Sequence, residues 1–424
     1  MKFPPKPYQE KAKDFALKNP YSILSLDMGL GKTFLALYLR EILGQRTLVI
    51  CPSFLIPVWR DEIQKVCSNS PVVTIFDTGK SYYQTWDSDI VITSYELAQK
   101  MEGIFEWCDM LVIDESHMLK SLEAKRTQFF HRVIYENSIK RVYMLTGTPI
   151  KNRVHEFYSS IAICNYNPAI KKSAFLERFP DAVTFADYFS YREQYTLEIG
   201  NKLIQVVNWK GMKAEKIPEL KSYLKGIYFR VNFDSVASLV PIREKNILMS
   251  RSMDKDLPDF DELFNEHGNP IISPRAKLQA AVKKVPFTAK YAKNIIDEMG
   301  CAVVYTDQVP ACEALAKELG VVPITGLLSK KARDIEKKKF MGGETNAIVA
   351  TYGSFSVGVD LTRSSDLIIN DYPWVPGDMK QAIYRIRRIN QTKPCVVHRI
   401  FGSPQDEYIF DTILEKSEEI KLVT

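Results

Sequence analysis

The stretch S-I-L-S-L-D-M-G-L-G-K-T-F-L-A-L-Y-L-R-E-I-L, residues 22–43, runs from an apolar strand into a helical segment through a loop holding two glycines and a lysine. Gly29 and Gly31 let backbone N–H groups turn inward toward phosphate oxygens, and the helix that follows offers its positive N-terminus to the same anion. Lys32 is then placed to reach the β and γ phosphates of a nucleotide, and the Thr33 hydroxyl to take a position on Mg2+. The strict form of the loop has a further glycine where Leu26 stands, so this is the relaxed form. Because strand, loop and helix fall in the required order, an accidental glycine-rich turn is the weaker reading.

A phosphate loop needs a companion acid. One follows at the end of the apolar run L-V-I-D-E, residues 111–115. Two adjacent carboxylates there are costly to bury, and the useful arrangement puts Asp114 on Mg2+ with Glu115 polarising the attacking water. An isolated Asp-Glu would be read as a solvated strand end; its distance downstream of the loop favours the catalytic reading. Phosphoryl transfer also spreads negative charge over equatorial oxygens and calls for cations there. The segment Q-A-I-Y-R-I-R-R-I-N-Q, residues 381–391, supplies Arg385 and Arg388 at a spacing that predicts one helix face, with Arg387 pointing elsewhere.

Around these motifs, short Val/Ile/Leu-rich runs alternate with helical stretches, the pattern of parallel strands buried on both faces. One block spans 22–27, 47–51, 89–93, 111–115 and 141–146; a second spans 302–306, 347–351, 366–371 and 395–401. Residues from about 175 to 243 are aromatic-rich and read as helical, without strand alternation. The fold class expected is therefore α/β: two lobes of parallel sheet flanked by helices, with a helical insertion between them. The expected boundaries are 1–165 for the first lobe, 166–250 for the insertion, 251–286 for a linker mixing acids, Pro and Gly, and 287–424 for the second lobe with a C-terminal helix. At 424 residues a single small domain is excluded. The 57 Lys and Arg against 51 Asp and Glu leave a mild excess of +6, compatible with a polyanionic partner but far from a basic tail. Seven scattered cysteines without a C-x-x-C pair point to neither a disulfide framework nor zinc. No apolar run long enough to span a bilayer and no apolar core at the start predict a soluble, cytoplasmic protein without a membrane partner.

In their order the motifs resemble those of superfamily 2 helicases, specifically the SWI/SNF-type DNA-translocating ATPases, over nearly the whole chain. D-M-G-L-G-K-T (27–33) resembles motif I, and P-Y-Q (7–9) the adenine-reading motif, which implies Gln9 as a nucleotide contact. L-V-I-C-P-S-F-L (48–55) resembles motif Ia, I-T-S-Y-E (92–96) motif Ib, D-E-S-H (114–117) motif II and L-T-G-T-P-I-K-N (145–152) motif III. A-V-V-Y-T (302–306) resembles motif IV, G-V-D-L-T (358–362) motif V and residues 381–391 motif VI. The resemblance implies two RecA-like lobes and ATP with Mg2+ as cofactors. It implies nucleotide contacts from Gly358 and Asp360, and coupling of nucleotide state to DNA through His117, Thr146, Thr148 and Gln381. Backbone-tracking DNA contacts would come from Pro52, Ser53, Thr93 and Ser94 in the first lobe, and from Thr306, Thr325, Gly326 and Thr351 in the second. Departures from the family pattern include Asp360 in place of asparagine, Arg387 in place of histidine, and Arg230 alone where the family carries R-R-x-K.

D-E-S-H and the closing S-P-Q-D-E-Y-I-F-D-T-I-L-E-K (403–416) look most like the annealing-helicase and fork-remodelling branch, and the compact length is similar to that of phage branch-migration helicases. The expectation is thus a DNA-dependent ATPase, a monomer on double-stranded or branched DNA, that migrates branches or remodels forks in replication, recombination or repair. If phage-encoded, it would act in the host cytoplasm. Two rivals stay open: a conventional strand-separating DNA or RNA helicase, and a scaffold that binds nucleic acid and nucleotide without turnover.

Overall fold

A computed structural model of the chain describes residues 1–76, 87–121, 123–137, 139–166, 173–199, 202–236, 240–249, 273–354, 359–388 and 390–424. The chain divides into two units, Met1–Val236 with Glu418–Thr424, and Ala237–Ser417.

The first unit carries β1 (Tyr21–Leu26), β2 (Thr47–Cys51), β3 (Val73–Phe76), β4 (Ile90–Ser94), β5 (Met110–Asp114), β6 (Arg141–Thr146), β7 (Ser190–Ile199), β8 (Lys202–Met212) and β9 (Tyr228–Val231). Its sheet runs β3-β4-β2-β5-β6-β1-β9, and every neighbouring pair is parallel. Residues of β1, β2, β4 and β5 are buried throughout, which is why these strands read as unbroken apolar runs rather than alternating ones. Each Ile, Leu or Val so buried contributes roughly 1.5–3 kcal/mol. Because the strands are parallel, their carboxyl ends share one edge, where ligand-binding loops of such sheets gather. That edge receives the loop after β1, Pro52 after β2, Asp114 at the end of β5 and Thr146 at the end of β6.

The second unit carries β10 (Ile242–Leu248), β11 (Ala302–Thr306), β12 (Pro323–Ile324), β13 (Ala347–Thr351), β14 (Asp366–Ile369) and β15 (Cys395–Phe401). They form a second parallel sheet, β10-β15-β14-β11-β13-β12. Its core joins Val304, Val349, Ile368 and Ile400 of the strands to Ala289, Ala292 and Leu315 of the helices Val285–Met299 and Val309–Leu319. Two parallel sheets with helices are what the sequence leads one to expect.

The middle of the chain differs from its expected helical character. β7 and β8 pair as an antiparallel hairpin, and β9 joins the first sheet beside β1. The alternation Tyr195-Thr196-Leu197-Glu198-Ile199 and the pair Gly200-Asn201 are hairpin signals that the density of aromatics outweighed, while the four residues of β9 are too few to carry a period. The stretch expected as an insertion, 166–250, is shared between the two units, with β10 in the second. Within the expected linker, Pro274–Lys283 is a helix: Pro274 opens it and Ser273 caps it, its Oγ accepting the Ala276 N–H at 3.1 Å. The linker residues 251–272 lie outside the described residues. No helix among the described residues is long and apolar enough to cross a membrane.

Candidate nucleotide site

In the first unit the phosphate loop connects β1 to the helix Lys32–Leu43. Gly29 and Gly31 have φ of 83° and 78°, the left-handed region that disfavours any side chain. A Cβ at Gly31 would also lie 2.5 Å from Gln9 Nε2, so the amide end of Gln9 would have to move from the loop. Gln9 is buried against the loop, its Nε2 donating to Leu30 O at 3.2 Å and its Oε1 accepting the Lys6 N–H at 2.9 Å. The residue expected to read the base is thus fixed to the loop expected to hold the phosphates. Lys32 Nζ donates to Leu26 O at 3.3 Å, and Thr33 follows in the first helical turn.

Across β6 from β1, the acidic pair ends β5. Asp114 and Glu115 are 4% and 1% exposed, so their charges are almost wholly withdrawn from water. Asp114 Oδ2 accepts the indole N–H of Trp59 at 2.9 Å and Oδ1 the Glu115 N–H at 2.9 Å; the Asp114 carbonyl accepts the Tyr95 hydroxyl at 2.7 Å. Glu115 has φ of 53°, a left-handed conformation unusual for a residue with a side chain and characteristic of strained functional turns. Its Oε2 lies 3.2 Å from His117 Nδ1 but without hydrogen-bond alignment, leaving a buried carboxylate oxygen with no aligned donor. His117 Nδ1 is 3.4 Å from Thr146 Oγ1, which accepts the Thr148 N–H at 3.1 Å. A line of polar groups therefore runs from Glu115 through His117 and Thr146 to Thr148, three of the residues expected to couple.

Burial, and then the charge of Glu115, pushes the Asp114 carboxyl above its ordinary range, with Lys32 opposing. Burial also acts to raise Glu115, but His117, Lys32 and Lys151 together outweigh it and hold that carboxyl low. Two buried carboxyls on adjacent residues favour a cation, and each Asp114 oxygen keeps acceptor capacity beyond its one N–H partner. The loop glycines, Lys32, Thr33 and Asp114 thus fit a magnesium nucleotide.

In the second unit the helix Pro376–Ile386 stops sooner than expected. Arg387 leaves helical geometry at φ −98° and ψ 96°, and its Nε donates to Val240 O at 2.9 Å. Arg388 therefore does not share a helix face with Arg385, the correction of the expected spacing. The two converge nonetheless: Arg385 Nη1 and Arg388 Nη2 reach the Val359 carbonyl at 3.5 and 2.9 Å. Burial, then the neighbouring Arg385, holds the Arg388 guanidinium down to about 10. Asp360 follows Val359 and turns its Oδ1 to the Thr362 N–H and hydroxyl at 2.9 and 2.7 Å. Gln381 is buried in the same helix; Gly358 lies outside the described residues.

Of the expected DNA contacts, Ser53 and Gly326 are exposed. Thr93, Ser94 and Thr306 are buried with their hydroxyls committed internally, to Phe76 O, the Leu97 N–H and Asp371 respectively. Pro52, Thr325 and Thr351 are buried at or just beyond the ends of β2, β12 and β13. Lys277 and Lys284 are buried partners of Asp307 and Asp406. Lys330 and Lys331 do face solvent, close to Gly326. Sequence reasoning did not assign a role at the site to Trp59, Tyr95 or Arg230. A buried indole N–H seeks a partner, but nothing in sequence pairs residue 59 with 114.

Residues 8–261 match the SNF2-related domain and residues 288–390 the helicase conserved C-terminal domain. The chain is 24% identical to an uncharacterized ATP-dependent helicase of Bacillus subtilis, over 98% of this chain and 78% of that protein. It is likewise 24% identical to the SWI/SNF-related matrix-associated actin-dependent regulator of chromatin subfamily A-like protein 1 of Xenopus tropicalis, over 97% of this chain and 44% of that protein, so it spans less than half the length of this relative. A solved structure, the SWI2/SNF2 ATPase core of Sulfolobus solfataricus in complex with dsDNA, is similar at TM-score 0.45 and 21% identity, covering 100% of this chain and 97% of that one. With more than half of its length matched by the first of these domains, the chain belongs to the SNF2-related family of ATP-dependent helicases.

Proposed function

We propose that this chain is an ATP-driven translocase that tracks along duplex or branched DNA, with branch migration or fork remodelling in replication, recombination or repair its outcome. The observation that carries this reading is the placement of the Lys32 loop and the Asp114–Glu115 pair on one edge of one sheet, joined to Thr148 through His117 and Thr146. A nucleotide-binding scaffold has no use for such a line.

ATP is the substrate. The loop amides and Lys32 would hold its β and γ phosphates, and Thr33 and Asp114 would hold Mg2+, which when bound neutralises phosphate charge. Glu115, kept ionised by the cations around it and with an oxygen lacking an aligned donor, accepts a proton from the attacking water. The new bond forms between that water's oxygen and the γ phosphorus, and the bond from phosphorus to the bridging oxygen breaks, giving ADP and phosphate. Arg385 and Arg388 supply positive charge to the transition state. Gln9 orients the base, and Asp360 lies beside the arginine pair. DNA is held by its phosphates rather than its base edges, which suits the exposed Ser53 and Gly326 and the lysines at 330 and 331.

The test is Lys32→Ala. ATPase activity should fall to background while affinity for duplex DNA stays within about threefold, because the loop serves the nucleotide alone. Persistent hydrolysis would remove the loop from the mechanism.

A further inference from the structure

Arg230 stands on β9, the edge strand beside β1, and its guanidinium bonds in four directions. Nη2 donates to Asp27 Oδ1 at 2.8 Å, Nη1 to Ser25 Oγ at 2.6 Å and to the Gly147 carbonyl at 3.4 Å, and Nε to Asn232 Oδ1 at 2.6 Å. Asp27 is bound on its other side too: Oδ2 accepts the Phe233 N–H at 2.8 Å, and the Asp27 N–H donates to Val231 O at 3.1 Å. The pair is shielded, with side-chain exposures of 12% for Arg230 and 2% for Asp27.

The partners belong to two different parts of the site. Ser25 and Asp27 are the lead into the phosphate loop, and Gly147 is the turn between Thr146 and Thr148. Those parts also meet directly: a Cβ on Gly147 would lie 3.2 Å from Lys32 Nζ and 3.2 Å from Met28 Cγ. Gly147 is therefore wedged between the Arg230 guanidinium that holds its carbonyl and the Lys32 ammonium. A planar fork can satisfy several acceptors at fixed angles, whereas an ammonium on the same stem is a single point charge.

We propose that Arg230, with Asp27 as its counter-charge, is a positioning residue for ATP turnover that holds the start of the phosphate loop and the Gly147 turn as one piece. This rests on the reading of the Lys32 loop as an ATP site. Arg230 touches neither nucleotide nor DNA in this account; it acts through Lys32 and Thr148, and small displacements of reacting groups are costly, on the order of a hundredfold in rate for 1 Å.

The experiment measures kcat and KM for ATP with saturating duplex DNA, DNA affinity by anisotropy, and melting temperature, for wild type, Arg230→Lys, Ser25→Ala, the double variant and Lys32→Ala. Arg230→Lys keeps a charge opposite Asp27 but loses the fork. It should lower kcat roughly 10- to 100-fold with duplex affinity within about threefold. Ser25→Ala leaves the ion pair intact and should lower kcat about 3- to 10-fold, and the double variant should be no worse than Arg230→Lys alone, since the same link is already broken. Wild-type kcat and KM in Arg230→Lys, or losses that only follow the folded fraction, overturn the proposal. If Arg230→Lys does not fold, Ser25→Ala decides: unchanged kcat overturns it. Hydrolysis surviving in Lys32→Ala would instead show that the ATP-site reading has failed.

Discussion

Arg385 and Arg388 donate to one and the same acceptor, the carbonyl oxygen of Val359, although the helix that carries Arg385 ends at Ile386. Burial, and then the charge of Arg385, lowers the affinity of Arg388 for its proton, with Asp360 opposing. Under the proposed function, an anion of spread charge, such as a γ-phosphoryl group in transfer, would offset the cost of burying the pair.

Replacing Arg388 by Ala should therefore act on the transition state. The expected result is a fall in kcat of about a hundredfold or more with KM for ATP changed only a fewfold, and a double variant with Arg385→Ala should lose less than the product of the single effects. Steady-state kinetics over a range of ATP concentrations checks this. A collapse of ATP affinity at unchanged kcat would make Arg388 a ground-state ligand.

Gly31→Ala should disable the loop for two independent reasons, the positive φ and the approach of Gln9 Nε2 to 2.5 Å from the new Cβ. The expected outcome is at least a tenfold rise in KM for ATP, read by kinetics and by nucleotide titration. Gly44→Ala supplies the comparison: its φ of +60° is also left-handed, but a Cβ there meets nothing within 4 Å. That substitution should cost about 1 kcal/mol of stability and leave ATPase unchanged.

Acid lability should trace in part to His131. Its Nε2 lies 2.8 Å from Ser159 Oγ and its Nδ1 3.1 Å from Tyr135 OH, and burial pushes its pKa down to about 4. Folded, the ring stays neutral where the unfolded chain, titrating near its ordinary 6.5, takes up a proton. The stability so contributed is complete above pH ~6.5 and is lost as pH falls from there to ~4, up to roughly 3 kcal/mol; below that both states are protonated. Urea unfolding at stepped pH should show a shallower decline across this window for His131→Gln than for wild type. Parallel declines would remove His131 from the account.

The site was legible where chemistry concentrates in a short run. Gly29, Gly31, Lys32 and Thr33 sit within five residues, and Asp114 and Glu115 end a strand that their apolar neighbours define. It was not legible where contacts join distant residues without a period: Trp59 meets Asp114 at a separation of 55, and Arg230 meets Asp27 at 203. The end of the helix at Ile386 follows no Gly or Pro; I-R-R-I continues the apolar and basic pattern, while Arg387, out of helical geometry, bonds the Val240 carbonyl far off in sequence. The hairpin β7–β8 carried its signal openly at Leu197 and Ile199, and aromatic richness in the surrounding stretch obscured it.

The most direct test of the central claim is steady-state ATPase at fixed salt with no nucleic acid, single-stranded DNA, plain duplex, a four-way junction, and RNA. Low basal turnover, strong stimulation by duplex, and more by the junction are expected. Stimulation confined to single strands or RNA would contradict the claim in favour of a strand-separating helicase, and no hydrolysis under any condition would contradict it in favour of a scaffold.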